Sequence, residues 1–223
     1  MPTFLLDHHI EIPTIRDLAE FRRWAVSDLF PQRGRIDYVD GRIEVDMSPE
    51  DVFTHGTLKS EVASGIKRRV DALDLGHTLI SDTRVSSVAA DLSAEPDVIV
   101  LTHEALDAGR LMLTRKASGE PDRYVEVEGG PDLVVEIVSD SSEQKDERRL
   151  PAAYFRAGVR EFWLLDARAP ELRFEIHRRG TGSFQQTPRD SEGYQQSEVL
   201  SARVRLERSR HARGHWMYRL DVV

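Results

Sequence analysis

Carboxylates accompany two of the most apolar runs in this 223-residue chain. Glu136 stands inside the run 133–138, and Asp97 directly precedes the run 98–101. Such runs are typical of strands covered on both faces, where an unpaired carboxylate costs roughly several kcal/mol. Because neighbouring strands lie about 4.8 Å apart, the two carboxylates could share a Mg²⁺ ion, which prefers oxygen ligands. The sequence therefore offers a candidate metal site at Asp97 and Glu136.

The same two acids also have a structural explanation. A Pro-Asp pair opens each run, at Pro96-Asp97 and at Pro131-Asp132. An aspartate at a strand entry can cap a turn, and Glu136 can pair with an arginine or lysine, as buried acids often do. The sequence is therefore compatible with both metal binding and structural pairing at these two acids.

Lys145 is the basic residue placed to act with these acids. It lies at or near the start of the helix predicted after Glu136, where a cation is disfavoured by about 0.3–1 kcal/mol. From there it could point back at the carboxylates, to orient or deprotonate water or to stabilise charge on a phosphate. The alternative is a solvated lysine paired with Glu143 or Asp146. Pro151 leaves open whether the helix begins before or after Lys145.

Further polar residues are weaker candidates for the same chemistry. His55 and Glu61 lie six residues apart on a predicted helix, so they do not share a clean face, and either is an accessory ligand or an ordinary polar helix residue. Asp37 and Glu44 flank a predicted hairpin and could approach a metal. The segment 203–219 holds six arginines against one glutamate, and it could contact phosphates, anchor a dimer or form a solvated β surface.

Composition limits the class of protein. The formal charge is −8, which argues against a general nucleic-acid coat protein but permits an enzyme with a local basic groove. The chain has no cysteine, which excludes disulfides, thiolate chemistry and cysteine-ligated zinc and makes a reducing cytoplasm the expected compartment. No apolar run approaches about 18 residues, and the first residues do not resemble a secretory signal, so we expect no membrane contact.

Hydrophobic periodicity predicts the elements that must position these residues. We expect an N-terminal arm at 1–14, a helix at 15–30, a hairpin about Asp40-Gly41 and a helix at 49–73. One strand is expected over 77–88, a second over 98–101, and a strand–helix–strand crossover over 133–165 that Gly158 punctuates. The order predicts one α/β domain over 15–180. The short strands of 181–223 are expected to form a C-terminal β extension packed on the same domain.

Several motifs together resemble a known family. The crossover reads PDLVVEIVS, then S-S-x-x-K-D, then L-x-x-x-Y-x-x-A-G-V-x-E-F-W-L-L-D, and it is preceded by IDYVDGRIEVDMSPE and EPDVIVL. Over about residues 15–180 this resembles the Uma-two family of putative restriction endonucleases, within the PD-(D/E)XK nuclease superfamily. The resemblance implies a restriction-endonuclease-like fold, in which helices flank a mixed central sheet, and metal-dependent hydrolysis of phosphodiester bonds.

The resemblance also implies roles for particular residues. Asp97 would be the acid of the PD element and Glu136 the acid of the (D/E)XK element, both binding Mg²⁺ or Mn²⁺. Val138 occupies the lysine position of that element, and Leu150 stands where many relatives carry the lysine in the next helix. Lys145 is then the best candidate for a migrated lysine, because an arginine such as Arg149 cannot deprotonate.

Three functions follow from these observations. The first is a Mg²⁺-dependent endonuclease acting on DNA through Asp97, Glu136 and Lys145, with His55 and Glu61 as possible accessory residues. The second is a non-catalytic nuclease-fold module that binds nucleic acid or protein, which the substituted lysine position and the acidic charge favour. The third is a binding scaffold outside nucleic-acid biology. A homodimer is expected for the first function, since enzymes that cut both strands often pair their sites.

Overall fold

The computed structural model describes residues 11–31, 33–116 and 120–223. Most of the predicted arm, residues 1–10, lies outside the described residues. Within them the chain forms fifteen strands: β1 Arg35–Val39, β2 Arg42–Asp46, β3 Gly76–Ile80, β4 Arg84–Ser87, β5 Leu92–Ala94, β6 Val98–Thr102, β7 Met112–Arg115, β8 Tyr124–Glu128, β9 Leu133–Ile137, β10 Glu161–Asp166, β11 Arg173–Arg179, β12 Phe184–Gln186, β13 Gln195–Ser197, β14 Ala202–Arg210 and β15 Trp216–Val222.

Helices are fewer and mostly short. The described part of the chain has four α-helices: α1 Leu18–Ala25, α2 Thr57–Ala72, α3 His103–Asp107 and α4 Leu150–Ala157. Two π-helical turns, Val52–Gly56 and Lys145–Arg149, lead directly into α2 and α4, and a 3₁₀ turn spans Val88–Ala90. None of the helices in the described ranges is both long and apolar enough to cross a membrane.

The strands of the described residues form three sheets. Two have six strands each, in the orders β2-β1-β5-β4-β8-β7 and β12-β11-β10-β9-β6-β3, and the third is β13-β14-β15. Both large sheets are mixed, because β4 pairs in parallel with β8 and β9 in parallel with β10 while their other pairings are antiparallel. This arrangement confirms the predicted mixed α/β fold with additional C-terminal strands.

The predicted crossover is present as β9–α4–β10. Its strands are nearly continuous apolar runs because both faces are covered, and Leu133, Val135 and Trp163 are fully buried. Helix α4 turns Ala153 and Tyr154 into the core. Gly158 ends the helix in the left-handed region at φ +95°, as predicted for a C-terminal glycine.

Helix α2 lies between the second sheet and the C-terminal sheet. Its buried positions recur at helical spacing at Leu58, Val62, Ile66 and Val70, and they share one hydrophobic cluster with residues of β9, β14 and β15. The helix approaches β15 closely, since a Cβ added to Gly65 would lie 2.6 Å from Leu220 Cδ2. The C-terminal strands therefore share their core with α2.

Two predicted elements have wrong boundaries. The helix expected over 15–30 covers only Leu18–Ala25, because the Asp17 side chain caps its start by accepting the Glu20 amide and Ser27 closes its end on the Trp24 carbonyl. The single strand expected over 77–88 is two strands in different sheets, β3 and β4. The chain turns between them at 81–82, where both residues have positive φ.

Candidate active site

Asp97 and Glu136 enter the site from neighbouring antiparallel strands. Val98 of β6 lies opposite Val135 of β9, so the same register places Asp97 opposite Glu136. The Ile137 amide donates a 2.8 Å hydrogen bond to Asp97 Oδ2, which ties the two strand ends together. Both acids are buried, with 0% and 1% of their surface exposed. The structure thus brings the two predicted metal ligands to one place inside the fold.

Asp97 lies among cations. Arg35 Nη2 and Lys59 Nζ lie 2.9 and 3.1 Å from its Oδ1, and His55 Nε2 lies 3.6 Å from its Oδ2. Burial opposes ionisation of Asp97, but the His55 contact and the charges of Arg35, His55 and Lys59 outweigh it and hold the pKa well below its usual range. Asp97 is therefore ionised at neutral pH.

Glu136 is in the opposite electrostatic situation. The Tyr154 hydroxyl donates to its Oε1, whereas its Oε2 has no hydrogen-bond partner among the described residues. Burial, followed by the negative charges of Asp146 and Asp97, raises the pKa of Glu136 well above its ordinary value. Without a bound cation, Glu136 therefore favours its protonated form.

Asp146 adds a third buried acid to the group. Its Oδ2 accepts a hydrogen bond from the Ser142 hydroxyl, whereas its Oδ1 has no hydrogen-bond partner in the described ranges. Lys145 Nζ lies 3.9 Å from that oxygen, beyond hydrogen-bonding distance. Burial raises the pKa of Asp146 to about 6. A cation would satisfy orphaned buried oxygens such as those of Asp146 and Glu136.

Lys145 is inside the protein, contrary to the solvated alternative. It opens the π-helical turn before α4, and only 4% of its surface is exposed. Its Nζ lies 2.6 Å from Asp37 Oδ2. Burial lowers the pKa of Lys145, but the charges of Asp37, Asp146 and Glu136 raise it more, so the net shift is upward. Lys145 therefore stays an ammonium group and is unsuited to deprotonating water, one of the roles expected for it.

His55 and Glu50 form a second group around Asp97. Asp51 caps the turn Val52–Gly56, which carries His55 inward so that its Nε2 lies 3.0 Å from the Ile137 carbonyl oxygen. One ligand atom from each of Glu50, His55 and Asp97 lies within 4.8 Å of the others, a spacing that one metal ion could bridge. Burial lowers the pKa of His55, but the hydrogen bond and charge of the Asp97 carboxylate together outweigh burial, so the net shift is upward.

The remaining predicted candidates lie in other contacts. Glu61 Oε1 accepts a 2.9 Å hydrogen bond from the Leu220 amide in β15, so this carboxylate serves the C-terminal sheet and the structure does not bring it to the Asp97 group. Glu44 pairs with Arg149 at 2.6 Å. Neither contact involves Asp97 or Glu136.

Sequence reasoning missed five residues of this site. They are Arg35, Glu50, Lys59, Asp146 and Tyr154. Two of them had an available signal: Lys59 follows His55 by four residues on the same helical face, and Asp146 adjoins Lys145. Tyr154 stands in the crossover motif quoted above and Glu50 lies five residues before His55, whereas Arg35 comes from the distant strand β1.

Comparison with known proteins identifies the family of the chain. The model of the Uma2 family, described as "Putative restriction endonuclease", matches residues 18–209. The chain belongs to the Uma2 family. This Uma2 protein also resembles the crystal structure of a putative nuclease belonging to DUF820 from Anabaena variabilis, with 19% identity and a TM-score of 0.60 over 83% of this chain and 90% of that one. At that identity the likeness shows the fold. No curated protein matches the chain.

Proposed function

We propose that this Uma2 protein is a metal-dependent endonuclease that hydrolyses phosphodiester bonds of DNA. One observation carries the proposal beyond family membership: two buried carboxylate oxygens, Glu136 Oε2 and Asp146 Oδ1, have no hydrogen-bond donor among the described residues. Native proteins rarely leave such atoms unsatisfied unless an ion or water completes them. Oxygen donors of this kind suit Mg²⁺ or Mn²⁺.

The residues present fit such an ion. Asp97 and Glu136 would hold it, and Asp146 offers a further unsatisfied carboxylate oxygen. Glu50 and His55 each place one ligand atom within 4.8 Å of one from Asp97. A divalent ion bound there supplies a more acidic water molecule and neutralises phosphate charge. Because Asp97 is ionised already, the proton to be displaced is the one that burial keeps on Glu136.

The other residues of the site act around the two ligands. Arg35 and Lys59 keep Asp97 charged and fixed, since both reach its Oδ1. The Tyr154 hydroxyl orients Glu136 through Oε1 and leaves Oε2 available. Lys145, held by Asp37, supplies a fixed positive charge that would stabilise charge developing on a phosphate.

The decisive experiment titrates the protein with Mn²⁺ in a calorimeter and measures DNA cleavage in parallel. Wild type should bind Mn²⁺ and cleave DNA with Mg²⁺ or Mn²⁺ but not with EDTA, and Asp97→Ala should lose both. Asp97→Ala leaves three buried cations without their shared carboxylate. Glu136→Gln therefore serves as the milder variant, with circular dichroism to check its fold. A wild type that binds no divalent ion would refute the proposal.

A second function is supported by one specific observation. Val138, at the lysine position of the family motif, is 1% exposed and packs in the core with Leu150. A nuclease-fold module that binds DNA without cutting it would tolerate this replacement. Metal binding and DNA binding by the wild type, without cleavage under any metal, would favour this function.

We also propose that the protein acts as a homodimer. Cutting both strands of a duplex requires one active site at each strand. Two copies of the chain related by a twofold axis would present two such active sites. Light scattering at tens of micromolar should give twice the monomer mass of 25.4 kDa. A monomer mass would contradict the dimer without bearing on the metal site.

A further inference from the structure

The arginines of the C-terminal sheet fall into two groups that differ in their partners. The first group lies on the outer face of β14 and β15 and is paired with carboxylates. Arg203 lies 3.1 and 3.0 Å from Asp190 and Glu192, and Arg219 lies 2.7 Å from Glu207. Arg205 lies 2.9 Å from Asp221. These positive charges are neutralised locally.

The second group occupies the end of the hairpin, residues 208–216, which we call the hairpin tip. It contains three arginines, two histidines and no acid. Within the described ranges, no carboxylate pairs with Arg208, Arg210 or Arg213, and Arg208 instead donates to the carbonyls of Ala167, Ala169 and Pro170. The tip therefore carries a charge of +3 with its histidines neutral, on a chain whose total is −8.

The tip is ordered by its own contacts. The His211 amide donates to the His215 carbonyl at 2.9 Å, and Gly214, at φ +88°, closes the turn by donating to His211. The guanidinium carbons of Arg208 and Arg210 lie 4.1 and 3.6 Å from the centre of the Trp216 ring. Stacking orients a guanidinium plane and leaves its N–H groups available as donors. Arg210 uses one of these N–H groups in a hydrogen bond to the Gly214 carbonyl.

The tip adjoins the candidate active site. His215 stacks on Phe53 with ring centres 4.9 Å apart and planes 4° from parallel. Phe53 belongs to the turn Val52–Gly56, which also carries His55 to within 3.6 Å of Asp97. This positive surface is therefore joined, through one aromatic stack, to the turn that forms one wall of the site.

We infer that the hairpin tip binds the phosphate backbone of duplex DNA beside the active site. The inference rests on the proposed function, since it gives the substrate of that site a docking surface. Exposed arginines with spare donors match phosphate oxygens in charge and geometry. In an acidic protein, such a local surface also accounts for how a polyanion can approach at all.

The test compares two double variants that change the net charge equally. Arg210→Gln/Arg213→Gln removes unpaired arginines of the tip, and Arg203→Gln/Arg219→Gln removes acid-paired arginines of the same two strands. Binding of a fluorescein-labelled duplex is measured by anisotropy in EDTA at about 50–200 mM salt, which excludes cleavage. The tip variant should lower the slope of log K against log salt by about 2, because each lost phosphate contact removes about 0.9.

The outcomes separate this inference from the proposed function. Between about 50 and 200 mM salt, the loss of DNA affinity should be about tenfold smaller for the tip variant than for wild type, while the control keeps the wild-type slope. Equal losses in both variants, no loss in the tip variant, or no DNA binding by wild type would each overturn the inference. If wild type binds through the tip yet never cleaves with Mg²⁺ or Mn²⁺, the nuclease proposal fails and the docking surface stands.

Discussion

The Lys145 ammonium lies 2.6 Å from the Asp37 carboxylate, and the two side chains are 5% and 1% exposed. Asp37 also accepts the Glu95 amide at 3.0 Å, so it is a fixed partner. This pair holds Lys145 beside Glu136 and Asp146 and keeps it charged. The geometry suits a lysine that stabilises negative charge on the substrate.

Replacing Lys145 should therefore reduce cleavage more than metal binding. We expect Lys145→Met to lower the metal-dependent cleavage rate by about 10²–10⁴-fold, the scale for loss of a well-placed charged group. The Mn²⁺ affinity should change little. Cleavage rates and calorimetric titrations measure the two effects separately, and unchanged cleavage would move the role to another residue.

That variant needs a control for stability, because Lys145→Met leaves Asp37 charged and unpaired in the interior. Breaking a buried pair on one side typically costs about 3–5 kcal/mol. The double variant Lys145→Met/Asp37→Asn removes both charges and should recover most of the free energy of unfolding. Cleavage that returned with stability would show that the lysine is structural.

Glu136→Gln should change how stability depends on pH. Burial and the charges of Asp146 and Asp97 raise the pKa of Glu136 in the folded protein. The folded state then binds the proton more tightly than the unfolded chain, so the free energy of unfolding falls as pH rises above the ordinary value of 4.5. In EDTA, Glu136→Gln should flatten this decline and be more stable than wild type at neutral pH.

Denaturation by urea between pH 5 and about 8 measures this slope. Part of the decline should persist in the variant, because the pKa of Asp146 is also raised, to about 6. A wild type whose stability rises over the same range would contradict a protonated Glu136. The same variant should lose Mn²⁺ binding, so the free energy of unfolding and the metal affinity change in opposite directions.

Replacing Glu61 should lower stability and leave the metal site unchanged. Its carboxylate accepts the Leu220 amide, and removing it leaves that backbone group without its acceptor. We expect Glu61→Ala to reduce the free energy of unfolding by about 1–2 kcal/mol. Metal affinity and cleavage should stay at wild-type levels when measured below the unfolding transition. A selective loss of cleavage would restore the accessory role.

The two central acids were predictable because local patterns carry them. Pro-Asp entries and near-continuous apolar runs mark the strands, and neighbouring strands bring Asp97 opposite Glu136. The position of Lys145 followed from the turn that reverses the chain after β9. Its partner did not, because Asp37 lies 108 residues away and the pairing depends on how the first sheet packs against α4.

The division into sheets was hidden for a different reason. The chain breaks between β3 and β4 at Ser81 and Asp82, with φ of +41° and +49°. Residues other than glycine seldom adopt this conformation. Because no glycine stands at the break, the sequence gives no sign of it. The strand continuing to 88 was therefore a reasonable prediction and wrong. Tertiary contacts, including Ser81 amide donation to the Asp97 carbonyl, stabilise the turn.

Tyr154 offers the last prediction, because its hydroxyl is the one hydrogen-bond donor to the Glu136 carboxylate in the described residues. Removing that hydroxyl leaves both carboxylate oxygens free, so the side chain loses its orientation and its pKa should rise further. We expect Tyr154→Phe to weaken Mn²⁺ binding by about 10–100-fold, the usual effect of losing a group that orients a ligand.

The matched control is Tyr38→Phe, which removes a hydroxyl from another buried tyrosine. Tyr38 lies in a separate hydrophobic cluster, where the centre of its ring is 5.4 Å from that of Phe21. Both variants keep their rings, so both should keep the fold. Calorimetric titration at two pH values tests the cause as well as the effect. If Tyr154→Phe binds Mn²⁺ poorly at neutral pH and recovers as pH rises, the hydroxyl acts through the proton on Glu136. An affinity equal to that of Tyr38→Phe at both pH values would show that Tyr154 is only a core residue.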